Sequence, residues 1–554
     1  MTAAMQRPPL TQARDDRGRS LAGTGKLLLF MLRRDRIRFP VWVLSLAAMM
    51  AYFANALGSL LDEEALGSFA ALAMNPVMAL VGGPSYGFEQ ITVGKIIVGL
   101  YGVYLMIGAA LMSIMTVSRH TRVEEQTGRA ELVRANVVGR HAQLAAALIL
   151  VALMNMLMAG LMALAFHFSP VDPDSFAVSL LFASSIGTAG LVFAAVTAVT
   201  VQLSTFSRAA SGMAGAVLAV SFTVRGLGDM SFVQGGNLDW LSWLSPLGWS
   251  QQTAPLTLDR WWPLGISLAA TLLLTVAGFV LQSRRDLAAG ILPDRLGSAA
   301  APSWLRSSLS LAFLLQRSAL LWWSLAMLVG GITFGAFVQP MVENAAGMPA
   351  EIMVIFGGTE GMVEGYLGFM GIFYAIMVAV FVILSVQALR GEEQGVRTEP
   401  VLATAVSRTG WLLSWALITA LGSLWLLVLA GLGNGIGAAI ATDDWGLLGK
   451  VILGQIAHVP AVWVLLGLAI ALYGCAPRLI GLTWAVFAWG TALSMFGDIM
   501  QLDDAVLDTS VFRHIGQHPA QEISWAAVGV LSAIAAALTA IGAAGFRRRD
   551  LITA

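Results

Sequence analysis

Residues 143–168 read QLAAALILVALMNMLMAGLMALAFHF, a stretch of apolar and small side chains without Asp, Glu, Lys or Arg. A helix of about 20 apolar residues is long enough to cross the hydrocarbon core of a bilayer. Eleven further apolar stretches occur, and they also lack these four residue types. The sequence therefore predicts an all-α polytopic membrane protein with twelve transmembrane helices. The other stretches are 40–61, 96–118, 176–203, 209–224, 263–282, 319–338, 366–389, 411–439, 451–474, 479–497 and 523–546.

The overall composition agrees with this class. Of 554 residues, 57% are hydrophobic and 12% are charged, which leaves too few polar side chains to cover a water-soluble fold. The 32 basic and 32 acidic residues balance, so net charge gives no reason to expect nucleic acid as a partner. The single cysteine, Cys475, excludes an internal disulfide and a cysteine-ligated metal site. We expect this chain to bind no metal ion or cofactor of its own.

The charges are distributed unevenly along the chain. With a cytoplasmic N-terminus, the seven cytoplasmic segments contain 27 Arg and Lys against 12 Asp and Glu, whereas the six external loops contain 5 and 20. Cytoplasmic segments are enriched in Lys and Arg near the ends of spans. The sequence thus predicts a multi-pass membrane protein with both termini in the cytoplasm. Basic and apolar residues are mixed over 26–38, which is typical of a helix in the membrane interface.

Two parts of the sequence are copies of each other. Residues 124–144, EEQTGRAELVRANVVGRHAQL, match residues 392–412, EEQGVRTEPVLATAVSRTGWL, at ten of 21 positions. After the sixth and twelfth predicted spans, Arg284-Arg285-Asp286-Leu287 matches Arg548-Arg549-Asp550-Leu551. Because each copy has an even number of spans, the halves are predicted to be two parallel six-helix repeats. The predicted parts are 1–39, a basic tail and interfacial elbow helix; 40–282, the first half; 283–318, a linker and second elbow helix; and 319–554, the second half.

Glycines four residues apart occur in two of the predicted spans. Gly331 and Gly335 lie in the seventh, and Gly433 and Gly437 lie near the outer end of the ninth. Small residues at this spacing allow helix backbones to approach each other closely in a membrane. We therefore expect these glycines at helix contacts.

The duplicated loop follows the second span of each half and carries charges in a fixed order. Two adjacent Glu are followed by an Arg, a third Glu and a closing Arg. Glu125 with Arg129, and Glu393 with Arg397, are spaced to pair within a helix, so a solvated loop helix is one interpretation. Their recurrence at the same place in both halves favours a functional surface. The loop residues are Glu124, Glu125, Arg129, Glu131 and Arg140, and Glu392, Glu393, Arg397, Glu399 and Arg408.

This pattern, Glu-Glu-x-x-Gly-Arg-x-Glu with a closing Arg inside a six-span unit, resembles the cytoplasmic coupling loop of type-2 ATP-binding-cassette (ABC) exporter permeases. More narrowly, Arg225-Gly-Leu-Gly-Asp229 and Leu244-Ser-Pro-Leu-Gly-Trp249, with fused halves and an Arg-Arg-Asp-Leu ending, resemble the actinobacterial polyketide-antibiotic or multidrug exporter permeases. The resemblance covers nearly the whole chain.

The resemblance implies a transport subunit rather than an enzyme. In that family each coupling loop docks on a separate ATPase, so the implied partners are two copies of an ABC ATPase subunit, with ATP and Mg²⁺ bound there. The implied location is the bacterial cell membrane, with membrane lipid as a further partner. The implied activity is export of hydrophobic or amphipathic, drug-like molecules out of the cell. Because Val396 replaces Gly128 and Ser494 replaces Arg225, the two halves are not expected to be functionally equivalent.

A pathway between the halves is expected to be lined by uncharged residues, for which helix packing is the competing interpretation. The main rival function is a proton- or sodium-driven secondary transporter, and the lack of acidic residues in the predicted spans argues against it. An integral membrane enzyme and an exporter or other component that handles lipid are further alternatives. The pathway candidates are Tyr101, Tyr104, Met154, Asn155, Met158, Tyr374 and Trp484.

Overall fold

Helices are the regular elements of the described part of the chain in the computed structural model. The described residues are 20–60, 66, 74, 76–135, 138–171, 175–293, 297–343, 361–497 and 502–551. The basic tail before residue 20 lies outside them. The chain divides into two compact units, Met1–Gly297 and Ser298–Ala554.

The first unit is built around α7, whose side chains are buried on almost every face. Ser175 begins α7 because its hydroxyl accepts a hydrogen bond from the amide of Val178, which leaves fewer amides unpaired at the helix start. The helices of this unit are α1 Thr24–Arg34, α2 Arg38–Leu60, α3 Pro76–Val81, α4 Val93–Gln126, α5 Arg129–Arg134, α6 Ala142–His167, α7 Phe176–Leu203, α8 Ser207–Val233, α9 Pro246–Gln251 and α10 Trp262–Ser283.

The second unit has its own apolar core, to which α13 and α16 contribute the most deeply buried faces. α16 is interrupted at His458, just before Pro460, because proline has no amide to continue the hydrogen-bond ladder. The helices are α11 Ser308–Ala336, α12 Val338–Glu343, α13 Met362–Gln394, α14 Thr398–Leu402, α15 Arg408–Thr442, α16 Gly446–Cys475, α17 Leu482–Phe496, α18 Asp504–Leu507 and α19 Trp525–Arg548.

Eleven helices in the described residues are long and apolar enough to cross a membrane, which makes the chain a polytopic membrane protein. They are α2, α4, α6, α7, α8, α10, α11, α13, α15, α16 and α19, and each covers one predicted span. The remaining prediction, 479–497, coincides with α17, which has 15 residues. The residues directly after it, 498–501, lie outside the described part.

The prediction that no charge lies within a span is wrong for α8. The apolar stretch 209–224 ends one residue before Arg225, but the helix continues to Val233 and includes both Arg225 and Asp229. Both side chains are buried, Arg225 completely. The hydropathy pattern predicted too early an end for this helix, because it contains no information on the polar partners that allow these charges to be buried.

The predicted glycine contacts are confirmed in the second unit. A Cβ on Gly335 would lie 2.2 Å from the carbonyl oxygen of Asn434, and a Cβ on Gly437 would lie 2.3 Å from that of Ile332. These distances are too short for any side chain, so α11 and α15 pack backbone to backbone. The apolar helices gain close packing here without a solvent-driven hydrophobic effect.

The segments before the first long helix of each unit differ. In the first unit, the predicted elbow is a separate helix, α1, which ends at Arg34 and is followed by α2 from Arg38. In the second unit, α11 is continuous from Ser308 through the elbow segment and the predicted span. Ser307 and Ser310 form a capping box that fixes the start of α11.

Candidate functional site: the duplicated loops

The first duplicated loop consists of a helix end, a sharp turn and a short helix. α4 extends beyond its apolar part to include Glu124 and Glu125, and α5 begins at Arg129. Between the two helices, Gly128 has a φ of 71°, in the left-handed region that glycine adopts without strain. The turn separates the two acidic residues of α4 from the charges of α5.

Glu125 is buried in an ion-pair cluster. Arg285, just after α10, donates to both of its carboxylate oxygens, with Nη2 to Oε1 at 2.7 Å and Nη1 to Oε2 at 2.9 Å. Arg122 donates to Oε2 at 2.7 Å, and its remaining donors reach the backbone carbonyls of Val201 and Ala289. Bidentate, charge-assisted hydrogen bonds of this kind are among the strongest in proteins. They connect the end of α4 to the ends of α7 and α10.

Arg140, the closing Arg of the first loop, also contacts the end of α10. Arg140 donates to the backbone carbonyls of Arg285 at 3.0 Å and Gln282 at 3.1 Å. Both ends of the loop are therefore held against the end of α10. We call Arg122, Glu125, Arg140 and Arg285 the first loop anchor.

The elbow helix is attached to the same region. Arg34, at the end of α1, forms an ion pair with the buried Glu124. The next residue, Asp35, accepts a hydrogen bond from His120 Nε2 at 2.6 Å and lies 3.2 Å from Arg119 Nη2. These contacts join α1 to the end of α4, so that the elbow and the loop cannot move independently.

The second unit contains a corresponding cluster. Arg549 donates to both carboxylate oxygens of Glu393, at 2.7 Å and 2.6 Å, and Tyr473 donates to Oε2 at 2.6 Å. Arg408 donates to the backbone carbonyl of Arg549 at 2.8 Å. We call Glu393, Arg408, Tyr473 and Arg549 the second loop anchor. Burial lowers the pKa of Arg549 while the hydrogen bond and charge of Glu393 raise it, and the net direction is upward, so Arg549 stays charged.

The turn is also preserved, despite a sequence change. Val396 occupies the place of Gly128 and has a φ of 57°. A β-branched residue in this region is strained by roughly 1–2 kcal/mol. The second unit tolerates this strain because Val396 N donates to Glu393 O at 2.9 Å and Arg397 N donates to Glu392 O at 3.0 Å, which hold the turn closed.

Both predicted helix pairs are wrong. Glu125 pairs with Arg122 and Arg285 rather than with Arg129, because the turn at residue 128 ends the helix before a pair four residues apart can form. In the second loop, Arg397 pairs with Glu392 at 2.7 Å instead of with Glu393. The hydrogen bond to Glu392 raises the pKa of Arg397. Sequence spacing alone missed the turn that redirects these side chains.

The other loop charges face outward. Arg129 and Glu131 of α5 are exposed, as are Arg397 and Glu399 in the second loop. Leu132, beside them, is 73% exposed. Each unit therefore presents a short charged helix on a loop whose base is fixed by buried ion pairs.

Sequence reasoning did not connect Arg285 and Arg549 to the loops. Both belong to the repeated Arg-Arg-Asp-Leu stretch, which indicated the duplication and the family resemblance but no contact with the loops. A repeated Arg and a repeated Glu, each close to the end of an apolar stretch, were the available signal. Arg122 offered the same signal, because Arg390 occupies its place in the second loop, whereas Tyr473 gave none, since only the fold brings it to Glu393.

A second polar cluster lies at the far end of α8. Arg225 donates to Asp229 at 3.0 Å and to the carbonyls of Leu80 and Gly82, each at 2.9 Å, at the end of α3. Ser242 donates to the other oxygen of Asp229 at 2.6 Å. The cluster holds α8, α3 and the turn before α9 together.

The glycines of the same motif permit this packing. A Cβ on Gly226 would lie 2.3 Å from the carbonyl oxygen of Leu80, and one on Gly228 would lie 2.5 Å from the amide nitrogen of Ser242. Only glycine allows these approaches. The Arg225-Gly-Leu-Gly-Asp229 pattern is thus explained by packing around one buried ion pair.

The pathway candidates of the first unit are mainly packed inside it. Met154 and Met158 belong to the apolar core, and Asn155 is buried, with its amide donating to Ser113 Oγ at 3.1 Å. On α4, Tyr101 is half-buried and Tyr104 is 40% exposed. Met154, Asn155 and Met158 are thus buried together on α6, whereas the side chain of Tyr104 is exposed on α4.

The two candidates of the second unit do not lie on one helix. Tyr374 of α13 is 2% exposed, and its hydroxyl has no hydrogen-bond partner within the described residues. Trp484 of α17 is half-buried and packs edge to face against Phe487 at 5.7 Å. Whether any of these side chains contacts a transported molecule stays a prediction.

Comparison with known proteins gives one family. The model described as "Multidrug efflux system permease Rv1217c, C-terminal domain" matches residues 26–281 and 305–547. The multidrug efflux system permease protein Rv1217c of Mycobacterium tuberculosis (strain ATCC 25618 / H37Rv) is 34% identical over 546 residues, which span 97% of this chain and 96% of that protein.

Proposed function

Because this multi-pass membrane protein belongs to the family of multidrug efflux permeases, we propose that it is the membrane subunit of an ATP-driven ABC exporter. It moves hydrophobic or amphipathic, drug-like molecules out of the cell. The observation that carries the proposal is the loop anchor present in each unit. A charged, exposed loop helix fixed by buried ion pairs to a long membrane helix is suited to receive force from a separate protein.

The anchors define how such a force travels. Glu125 and Arg285 are both nearly fully buried, so a push on α5 moves the ends of α4 and α10 as one body. In the second unit, Glu393 and Arg549 connect α13 to the end of α19 in the same way. A loop without these contacts would yield locally and leave the helices in place.

The exposed charges are the surface that binds the partner. We assign Arg129 and Glu131, and Arg397 and Glu399, to contacts with two copies of a separate ABC ATPase, which hold ATP and Mg²⁺. The buried Glu of each loop transmits the motion rather than making the contact. In this arrangement, the loops and both termini are cytoplasmic, as the excess of Arg and Lys in these segments favours.

Twelve spans in two parallel six-helix repeats are part of the proposal. This layout is supported by the family model, which matches one long stretch of each unit. It is also supported by the two loop anchors, which pair corresponding residues in the two units. α17 serves as the eleventh span, although its described helix has only 15 residues. This count places the duplicated loops on the same side of the membrane.

Charge reversal on the exposed helices tests the docking assignment. We expect the pair Glu131→Lys and Glu399→Lys to reduce co-purification of the proposed ATPase at least about tenfold, because like charges across an interface cost several kcal/mol. The matched control is Glu89→Lys with Asp508→Lys, which reverses one exposed acid per unit, before α4 in the first and directly after α18 in the second. Undiminished co-purification of the first variant would refute the assignment.

A proton-driven transporter is the second candidate, and the buried Asp229 of α8 is the observation that favours it. Buried carboxylates inside membrane helices often carry protons. However, Asp229 is fixed by Arg225 and Ser242, and such full pairing favours a structural role. Transport driven by a proton gradient without ATP, and abolished by Asp229→Asn, would establish this candidate instead.

A further inference from the structure

Among the buried side chains of the second unit that have unpaired polar atoms, four lie on the contacting helices α13, α15 and α16. They are Tyr374, Asn434, Gln455 and His458, and each is at most 2% exposed. Within the described residues, the Tyr374 hydroxyl, both polar atoms of the Asn434 and Gln455 amides, and His458 Nε2 have no hydrogen-bond partner. This concentration of unpaired groups lies among the most apolar helices of the chain.

Contacts of α16 place two of these residues against neighbouring helices. A Cβ on Gly371 of α13 would lie 3.3 Å from His458 Cε1. A Cβ on Gly431 of α15 would lie 3.1 Å from Gln455 Cγ. α16 thus packs against α13 on one side and α15 on the other, with Gln455 and His458 at the two contacts.

α11 completes the ring. A Cβ on Gly330 would lie 4.0 Å from the Tyr374 hydroxyl of α13, and one on Gly331 would lie 2.9 Å from the backbone nitrogen of Asn434 on α15. The helices α11, α13, α16 and α15 therefore contact one another in a closed sequence. We call Tyr374, Asn434, Gln455 and His458 the polar ring.

Unpaired buried polar groups are costly, at about 1–3 kcal/mol each. By contrast, the buried side-chain amide of Gln316 in the same unit has hydrogen-bond partners. Gln316 Oε1 accepts hydrogen bonds from Ser385 at 2.8 Å and Thr419 at 3.0 Å, and its Nε2 donates to the Trp415 carbonyl at 3.4 Å. Because both polar atoms of Gln316 have a hydrogen-bond partner, the unpaired atoms of the polar ring call for a functional explanation.

We propose that the polar ring is a binding site for the uncharged, hydrogen-bonding part of a transported molecule. This inference rests on the proposed export function and names its substrate class. The Asn434 and Gln455 amides each supply donors and an acceptor, which suits amide, hydroxyl or carbonyl groups. The ring contains no Asp, Glu, Lys or Arg to balance an ionic group, and burial of an unpaired charge is strongly unfavourable. Neutral molecules are therefore selected over cations.

The loop over 514–519 closes one approach to the ring. A Cβ on Gly368, one turn from Gly371, would lie 2.4 Å from the Gln517 carbonyl oxygen, and one on Gly454 would lie 2.6 Å from that of His518. This loop therefore packs directly on α13 and α16. Displacement of the loop, together with bending of α16 at its break, opens the way to the ring.

Photocrosslinking with a matched pair of probes tests the proposal. The purified chain in lipid nanodiscs is irradiated with 4-benzoylbenzamide, which is neutral, or with (4-benzoylbenzyl)trimethylammonium, which is a permanent cation. Labelled peptides are identified by mass spectrometry. The variants are Asn434→Leu combined with Gln455→Leu, and the control Thr333→Val, whose hydroxyl bonds only to its own helix at Val329.

We expect the neutral probe, but not the cation, to label peptides of α13, α15 or α16 around the ring. Labelling should fall at least about fivefold in the double variant and stay unchanged in Thr333→Val. The double variant should unfold at the same temperature as wild type or higher, because it removes no hydrogen bond. Equal labelling by both probes, or unchanged labelling in the double variant, overturns the proposal.

The two hypotheses fail separately. Crosslinking uses the permease alone, so loss of ATPase co-purification does not affect its outcome. A wild-type chain that binds its ATPase but is not labelled at the ring refutes the polar ring and leaves the proposed function intact.

Discussion

The buried ion pair between Glu125 and Arg285 should couple far more strongly than a more exposed ion pair in the second duplicated loop. We compare two double-mutant cycles: Glu125→Leu with Arg285→Leu in the first loop, and Glu392→Leu with Arg397→Leu in the second. The first pair is bidentate, and its side chains are 4% and 5% exposed. In the second pair, Arg397 is 57% exposed. The two ion pairs therefore differ mainly in the burial of their side chains, because the shortest distance between nitrogen and oxygen is 2.7 Å in both.

The magnitudes follow from this difference. Removing Glu125 alone leaves Arg122 and Arg285 buried without their shared carboxylate, at a cost of about 3–5 kcal/mol. The double variant restores part of this loss, so we expect a coupling energy of about 3 kcal/mol. For the exposed pair, solvent screening limits the coupling to about 0.2–1 kcal/mol.

Hydrogen exchange of the loop amides in nanodiscs measures these energies locally. If loss of the anchor opens the loop, exchange over 122–135 should accelerate at least about 100-fold in Glu125→Leu, since about 1.4 kcal/mol corresponds to a factor of ten. The equivalent peptide should change less than about fivefold in Glu392→Leu. Similar coupling in the two cycles, or unaltered exchange in Glu125→Leu, would refute the assignment of the anchor as the base of the loop.

Three further outcomes are expected. Gly128→Val should cost about 1–2 kcal/mol and accelerate amide exchange of its loop roughly 5- to 30-fold, because the turn requires a left-handed residue; unchanged exchange would contradict this. Tyr473→Phe should destabilise the second loop by about 1.5–3 kcal/mol, because it removes one of the two hydrogen bonds to Oε2 of the buried, charged Glu393 and leaves that from Arg549, and an unshifted exchange rate would count against the second anchor. Arg225→Lys should lower the thermal unfolding midpoint, because a lysine cannot reach the same fork of acceptors; an unchanged midpoint would show that these contacts add no stability.

Long apolar helices were predictable because the bilayer requires a simple run of apolar residues. All eleven helices that satisfy length and composition were found in the sequence, and so were the glycine contacts between α11 and α15. The end of α8 was not predictable in this way. Its charges are buried by partners on α3 and near Ser242, and these partners come together only after folding.

The loop residues were found in the sequence, but their roles were only partly predictable. Duplication identified the charges of both loops, whereas spacing assigned the wrong partners to Glu125 and Glu393. A left-handed turn at Gly128 and Val396 changes the direction of the chain, and a valine gives no sequence signal for such a turn. The partner Arg of each Glu lies more than 150 residues away in the chain, so only tertiary structure could reveal it.

ATP-dependent transport without an ion gradient tests the central proposal most directly. The permease and its ATPase are reconstituted into proteoliposomes, a proton ionophore collapses any pH gradient, and movement of a fluorescent amphipathic drug is followed after addition of ATP and Mg²⁺. We predict transport that requires ATP and is lost when Glu131→Lys and Glu399→Lys are combined. Transport that needs the proton gradient and is indifferent to ATP would contradict the proposal.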